Sequence, residues 1–177
     1  MDEIRKIIRE VINEDSNSIT DTEEFKKWFG NSKIVNERGY PLEVYHGSQE
    51  EFTEFAGYSF FTDDYWNAEG YSSGEDIVYE VYLSIQNPLV IDAKGKKWDE
   101  IETPYGTSTR EVASNLDTSR YDGIIFNNIK DSWIDDAEYQ DPGTVYVAIK
   151  PEQIKLADGT NTTFDVDNPD ITSEIQI

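Results

Sequence analysis

Cysteine is absent from the 177-residue sequence and histidine occurs once. The first absence removes disulfides, thiolate nucleophiles and every thiolate-held metal or iron–sulfur centre. The second removes paired-histidine metal sites and leaves His46 as the one imidazole available to any mechanism. Basic residues are scarce: 15 Lys+Arg against 37 Asp+Glu give a formal net charge of −22. Such a field repels phosphate, which disfavours a general nucleic-acid or anionic-membrane surface. No apolar run approaches the ~20 residues that cross a bilayer, and no signal-peptide pattern opens the chain. Neither type of glycine-rich phosphate loop occurs. The spacing Asp165-x-Asp167-x-x-Asp170 begins like a calcium loop but lacks the glycine and the closing glutamate that such a loop needs. The expectation is a soluble, acidic, cytoplasmic protein without a metal.

What is abundant is aromatic side chain, at 13% of residues with 11 Tyr, 8 Phe and 4 Trp. That rules against a solvated polyanion and predicts an aromatic-rich core or pocket inside an acidic shell. The length fits one domain. Ile4, Ile7, Ile8, Val11 and Ile12 fall at helical spacing, so residues 1–20 read as an amphipathic helix and a polar linker. The domain proper spans 21–171, and 172–177 form a tail. Asp21 is placed to cap a helix carrying Phe25, Trp28 and Phe29, with Gly30 ending it. Leu42 to Tyr45 reads as a strand delivering His46 and Gly47 at its end. Tyr58 to Thr62 is a short strand, followed by a helix capped by Asp63 or Asp64 and running to about Tyr71. Ile77 to Ile85, Leu89 to Ile91, Ile124 to Phe126 and Val145 to Ile149 complete the strands. Residues 98–117 read as a weak helical region, and 131–143 as an acidic loop. From Asp158 onward the few apolar residues suggest an extended tail. Short strands without regular βα alternation predict an α+β fold or a two-sheet sandwich.

One constellation stands out. Val44-Tyr45-His46-Gly47-Ser48 puts the lone imidazole beside a glycine that permits close backbone approach to a ligand. Phe60-Phe61-Thr62 follows, with Tyr71 at the end of the next helix, and Val145-Tyr146-Val147-Ala148-Ile149 precedes Pro151-Glu152-Gln153-Ile154. These three ordered motifs resemble those of the His-type ADP-ribosyltransferases, the superfamily of poly(ADP-ribose) polymerases and diphtheria-type toxins. The resemblance is closer still to the ADP-ribosyltransferase domain of phage and mobile-element polyvalent proteins. It covers roughly residues 22–171, through Trp28-Phe29-Gly30-Asn31-Ser32-Lys33-Ile34-Val35 at one flank and Asn168-Pro169-Asp170-Ile171 at the other.

The resemblance implies a split pair of small antiparallel sheets with flanking helices around a cleft for NAD, taken as substrate. His46 would bond the adenosine-side ribose, and Gly47, with Ser48 beside it, would hold the nicotinamide carboxamide. Tyr71 would stack on the nicotinamide ring, with Phe60 as the opposite wall and Phe61 turned into the core. Polymerising relatives carry a catalytic glutamate at the start of the third motif; the matching position here is Val145, with Thr144 next to it. That implies transfer of a single ADP-ribose unit rather than chain growth. Gln153 or a loop carboxylate (Asp135, Asp136, Glu138 or Asp141) could supply the missing polar group, although Gln153 reads more readily as a hydrogen-bonding support of the fold. Arg38, Arg110 and Arg120 are among the few cations that could meet the substrate's phosphates. The implied activity is mono-ADP-ribosyl transfer to a macromolecular acceptor, with the acidic charge favouring a basic host protein in a bacterial cytoplasm. Two alternatives stand beside it: a catalytically silent acidic binding protein that mimics nucleic acid, and an NAD glycohydrolase.

Overall fold

The computed structural model describes residues 19–75, 77–131 and 141–172. The expected N-terminal amphipathic helix, and Asp135, Asp136 and Glu138 of the acidic loop, lie outside the described residues.

The first described helix, α1 (Glu23–Phe29), is capped one residue later than the sequence suggests. Thr22 Oγ1, not Asp21, accepts from the Phe25 amide at 3.2 Å. Glu23 and Glu24 in its first turn and Lys26 and Lys27 in its last suit the helix dipole, and Gly30 ends it at φ 55°. Its aromatic face (Phe25, Trp28, Phe29) packs on Tyr82 and Phe164 in a small satellite core. The remaining elements are β1 (Val44–Ser48), β2 (Ser59–Thr62), α2 (Tyr65–Tyr71), β3 (Ile77–Leu83), β4 (Pro88–Asp92), α3 (Thr109–Ser114), β5 (Gly123–Ile129), β6 (Gly143–Ala148) and β7 (Ile154–Leu156). His46 and Gly47 therefore lie within a strand rather than at its exit. The span 98–108 is not helical; helix forms only where Ser108 caps α3 by accepting from the Glu111 amide.

The fold is α+β, with few helices and a seven-stranded sheet in the order β4-β5-β6-β2-β1-β3-β7. The pairs are antiparallel except β4 with β5, which run parallel. The all-antiparallel expectation fails there because β4 reaches β5 through a long crossover containing α3, the connection that parallel neighbours need. Pairing is uneven along the sheet. β1 meets β3 at five register positions and β2 meets β6 at four, yet β1 meets β2 at one, Tyr45 opposite Thr62.

Strand alternation sends side chains to two cores. Val44, Phe61, Val81, Leu83, Ile125 and Tyr146 face one, joined by Phe55 and Ile171 from the loops. Ile124, Phe126, Val145 and Val147 face the other, covered by Val112 and Ala113 of α3.

The extended tail expected from Asp158 is instead packed back through residue 172. Phe164 is 2% exposed and Ile171 is fully buried. The Ile171 amide donates to Thr53 O at 2.9 Å, and its carbonyl accepts from Leu156 N and Asn161 Nδ2. The buried Lys155 ammonium donates to the carbonyls of Asn168 and Asp170 beneath the same segment. A few apolar anchors suffice because Asn and Asp side chains satisfy the turns between them: Asn161 Oδ1 takes the Phe164 amide, and Asp170 Oδ1 the Thr172 amide.

Candidate active site

His46 sits in β1 with its ring among Phe52, Phe55 and Phe61, at centroid distances of 6.3, 5.1 and 5.5 Å. Its Nδ1 donates to the Phe60 carbonyl of β2 at 2.7 Å. An accepting carbonyl requires the proton on Nδ1, so in the neutral ring Nε2 is a hydrogen-bond acceptor. Burial pushes the imidazole pKa below its ordinary value, and the bond to Phe60 only partly opposes this. At neutral pH the ring is therefore uncharged, with a fixed tautomer. It bridges β1 and β2 next to the single position where they pair.

Gly47 alternates to the opposite face of β1. A Cβ there would lie 1.8 Å from the Ala68 carbonyl oxygen. The glycine thus admits α2 to direct contact with the strand. Ser48 closes a local turn, its Oγ donating to Glu50 O at 2.7 Å and accepting from Glu50 N at 3.1 Å.

The sequence explains the placement of α2. Asp64 caps it by accepting from the amides of Trp66 and Asn67, and Ala68 is small enough to lie on Gly47. Tyr71 ends the helix, and its hydroxyl donates to Asp131 Oδ1 at 2.9 Å. Burial raises the phenol's pKa well above the ordinary tyrosine range; Asp131 raises it further and the charge of Arg110 lowers it. Burial also raises the Asp131 pKa, against which the Tyr71 hydrogen bond acts.

Phe60 is half-buried and packs on the core that contains Val145, while Phe61 is 2% exposed on the other face. The rings of His46 and Phe60 do not touch each other; the two residues meet through the Phe60 backbone.

The third-motif positions are apolar or tied down. Val145 is 2% exposed between Thr62 of β2 and Phe126 of β5. Thr144 is held through its amide to Asp63 Oδ1 at 3.1 Å. Gln153 has every amide position occupied: Oε1 accepts from the amides of Ile149 and Lys150, and Nε2 donates to the carbonyls of Ser84 and Asp122. That is a clamp between strand ends with nothing spare for a substrate. Of the three arginines, Arg110 is the one whose charge reaches Tyr71, whereas Arg120 lies over the ring of its neighbour Tyr121.

Next to Val145 a small, open recess lies between β2, α2, β5 and β6, its wall including Asp64, Asn67, Asp131, Asp141, Thr144 and Val145. Among the described residues no group of three or more Asp, Glu or His is placed to hold a metal ion, and no helix is long and apolar enough to cross a membrane.

A family model described as ADP-ribosyltransferase in polyvalent proteins matches residues 36–164. The chain belongs to this family. Comparison with curated proteins and with solved structures gives no significant match. The chemistry of an ADP-ribosyltransferase is transfer of an ADP-ribosyl group from NAD, which is consumed as substrate, to an acceptor. The stretch shared with these ADP-ribosyltransferases starts ahead of β1 and ends beyond β7, so it contains His46, Tyr71, Val145 and Gln153. It also contains Asp131, which motif reading of the sequence misses. The signal that would have found it is topological: Asp131 lies two residues past Ile129, and Ile129 is opposite Gly143 at the start of β6.

Proposed function

We propose that the chain cleaves the nicotinamide–ribose bond of NAD and transfers one ADP-ribose unit to a protein acceptor. His46 carries this reading. It is a neutral imidazole with Nε2 free to accept from a hydroxyl by tautomer, poised where β1 and β2 part after a single register pair. His46 and Gly47 point to opposite faces of β1, so a ligand touching both must lie along the strand edge in that seam. The seam is then the NAD cleft of a split pair of sheets. His46 takes the adenosine-side ribose, the Gly47 backbone with Ser48 takes the carboxamide, Tyr71 stacks on the nicotinamide, and Phe60 lines the far side. Holding both ends of the substrate fixes the scissile bond for attack.

The apolar, buried Val145 favours a single transfer over elongation, and the charge of −22 favours a basic protein acceptor. We take residues 21–171 as the transferase unit, with 1–20 and 172–177 as appendages. A phage or mobile element acting in a bacterial cytoplasm is the setting we infer.

Incubation with NAD and bacterial lysate should release nicotinamide and label a protein. His46→Ala should slow release at least about 100-fold, and Tyr71→Ala should weaken NAD binding about fivefold by removing the stack (~1 kcal/mol). No release from the wild type, or release unchanged in His46→Ala, overturns the reading. Free ADP-ribose without labelled protein identifies a glycohydrolase. The missing carboxylate at Val145 also favours a silent binding protein. Salt-sensitive capture of a basic partner, unaffected by His46→Ala and Tyr71→Ala, would select that reading.

A further inference from the structure

Breaking an N-glycosidic bond builds positive charge at the ribose C1′ and leaves the incoming acceptor with a proton to lose. A carboxylate aimed at that point serves both needs. Neither Val145 nor Thr144 offers one, and Gln153 is fully engaged elsewhere. Resting on the transferase reading above, we propose that Asp131, at the end of β5, is the catalytic carboxylate of this site.

Three observations converge on it. The β5–β6 register carries the chain two residues beyond Ile129 to the mouth of β6, so Asp131 shares the wall of the recess with Thr144 and Val145. Its Oδ1 accepts from the hydroxyl of Tyr71, the residue proposed to stack on the nicotinamide, at 2.9 Å. Among the described residues Oδ2 carries no hydrogen bond. The other carboxylates nearby are committed or exposed. Asp64 caps α2, Asp63 holds the Thr144 amide, and Asp141 is solvent-exposed.

Among the described residues, the charged and titratable groups that share the recess with Asp131 or bond it are Tyr71 and Asp64 of the α2 region, Asp141 ahead of β6 and, through Tyr71, Arg110 of α3. Burial raises the Asp131 pKa and so makes it a stronger base than an exposed aspartate, while Tyr71 keeps the ionised form accessible. In the step, the electron pair of the C1′–N bond leaves with neutral nicotinamide. A lone pair of the acceptor forms the new bond to C1′. The acceptor's proton passes to Asp131 Oδ2 and then to water. One NAD and one acceptor yield one nicotinamide, one ADP-ribosylated acceptor and one proton.

The test uses the full chain as wild type, Asp131→Asn and Tyr71→Phe. It reads nicotinamide release across pH, NAD affinity by calorimetry, and folding by circular dichroism. Asp131→Asn should lower kcat at least about 100-fold with NAD affinity within about twofold. Tyr71→Phe keeps the ring but removes the hydrogen bond that holds the Asp131 pKa down. It should therefore retain NAD binding while the acid limb of the rate profile moves to higher pH. An active wild type with kcat unchanged in Asp131→Asn overturns the assignment and leaves the transferase reading standing. Loss of NAD affinity matching the loss of rate also overturns it, because it marks a binding or structural role. If Asp131→Asn fails to fold, the Tyr71→Phe profile decides: an unmoved acid limb overturns the proposal. A wild type that binds NAD but releases no nicotinamide overturns both.

Discussion

A single methyl group decides the packing at Gly47. Adding it would put a Cβ 1.8 Å from a backbone oxygen of α2, and neither strand nor helix can yield without repacking. Gly47→Ala should cost about 2–3 kcal/mol in urea unfolding and displace the helix that carries Tyr71. An unchanged unfolding midpoint would count against the close contact. The sequence marks this glycine as room for a ligand, but the room is taken first by a helix, because sequence does not reveal which element covers a strand face. At His46 the sign of the pH effect is fixed by burial. Its folded pKa lies below the unfolded value of about 6.5. The neutral ring thus contributes stability above about pH 6.5, and that contribution is lost as pH falls through the folded value. Urea unfolding at about pH 7.5 and about pH 5 should show a larger acid-side loss for the wild type than for His46→Asn. Equal losses would show that the imidazole titrates freely in the fold.

Elements were legible to the extent that their signals are local. The cap of α2, its end at Tyr71 and the aromatic face of α1 are all written in runs of seven or eight residues. Most strands announce themselves through β-branched and aromatic runs. Asp131 is not legible in this way. It opens a stretch dense in acidic residues, and only the pairing of Ile129 with Gly143 sets it apart from its neighbours. The segment after Asp158 misleads for the opposite reason. Its composition is that of a solvated tail, yet two apolar side chains and the Lys155 ammonium pin it down. Ile171→Ala should therefore behave as a core truncation and cost about 2–5 kcal/mol. A loss below about 0.5 kcal/mol, the scale of ordinary surface substitutions, would mean the segment is not part of the cooperative unit.

At the scale of the whole molecule, a charge of −22 meets little compensation among the described residues, where the ion pair Lys26–Glu23, at 3.7 Å, is solvent-exposed and therefore weak. Self-repulsion among carboxylates opposes the compact state, and added salt screens it. The melting temperature should rise from low salt to about 0.5 M NaCl, where the Debye length is only several ångströms. A fall would place the dominant electrostatics in attractive pairs instead. The sheet has a second global property. Because β1 and β2 share one register pair, the seven-stranded sheet narrows to a single rung at its middle, with α2 laid across the joint. One core, with Val44, Val81 and Leu83 from one side and Phe61, Ile125 and Tyr146 from the other, runs beneath that rung and holds the two sides together where backbone pairing is thinnest. On the proposed reading, NAD seated in that joint adds rungs that the chain itself does not make, and the stiffness of the protein then rises with occupancy of the site.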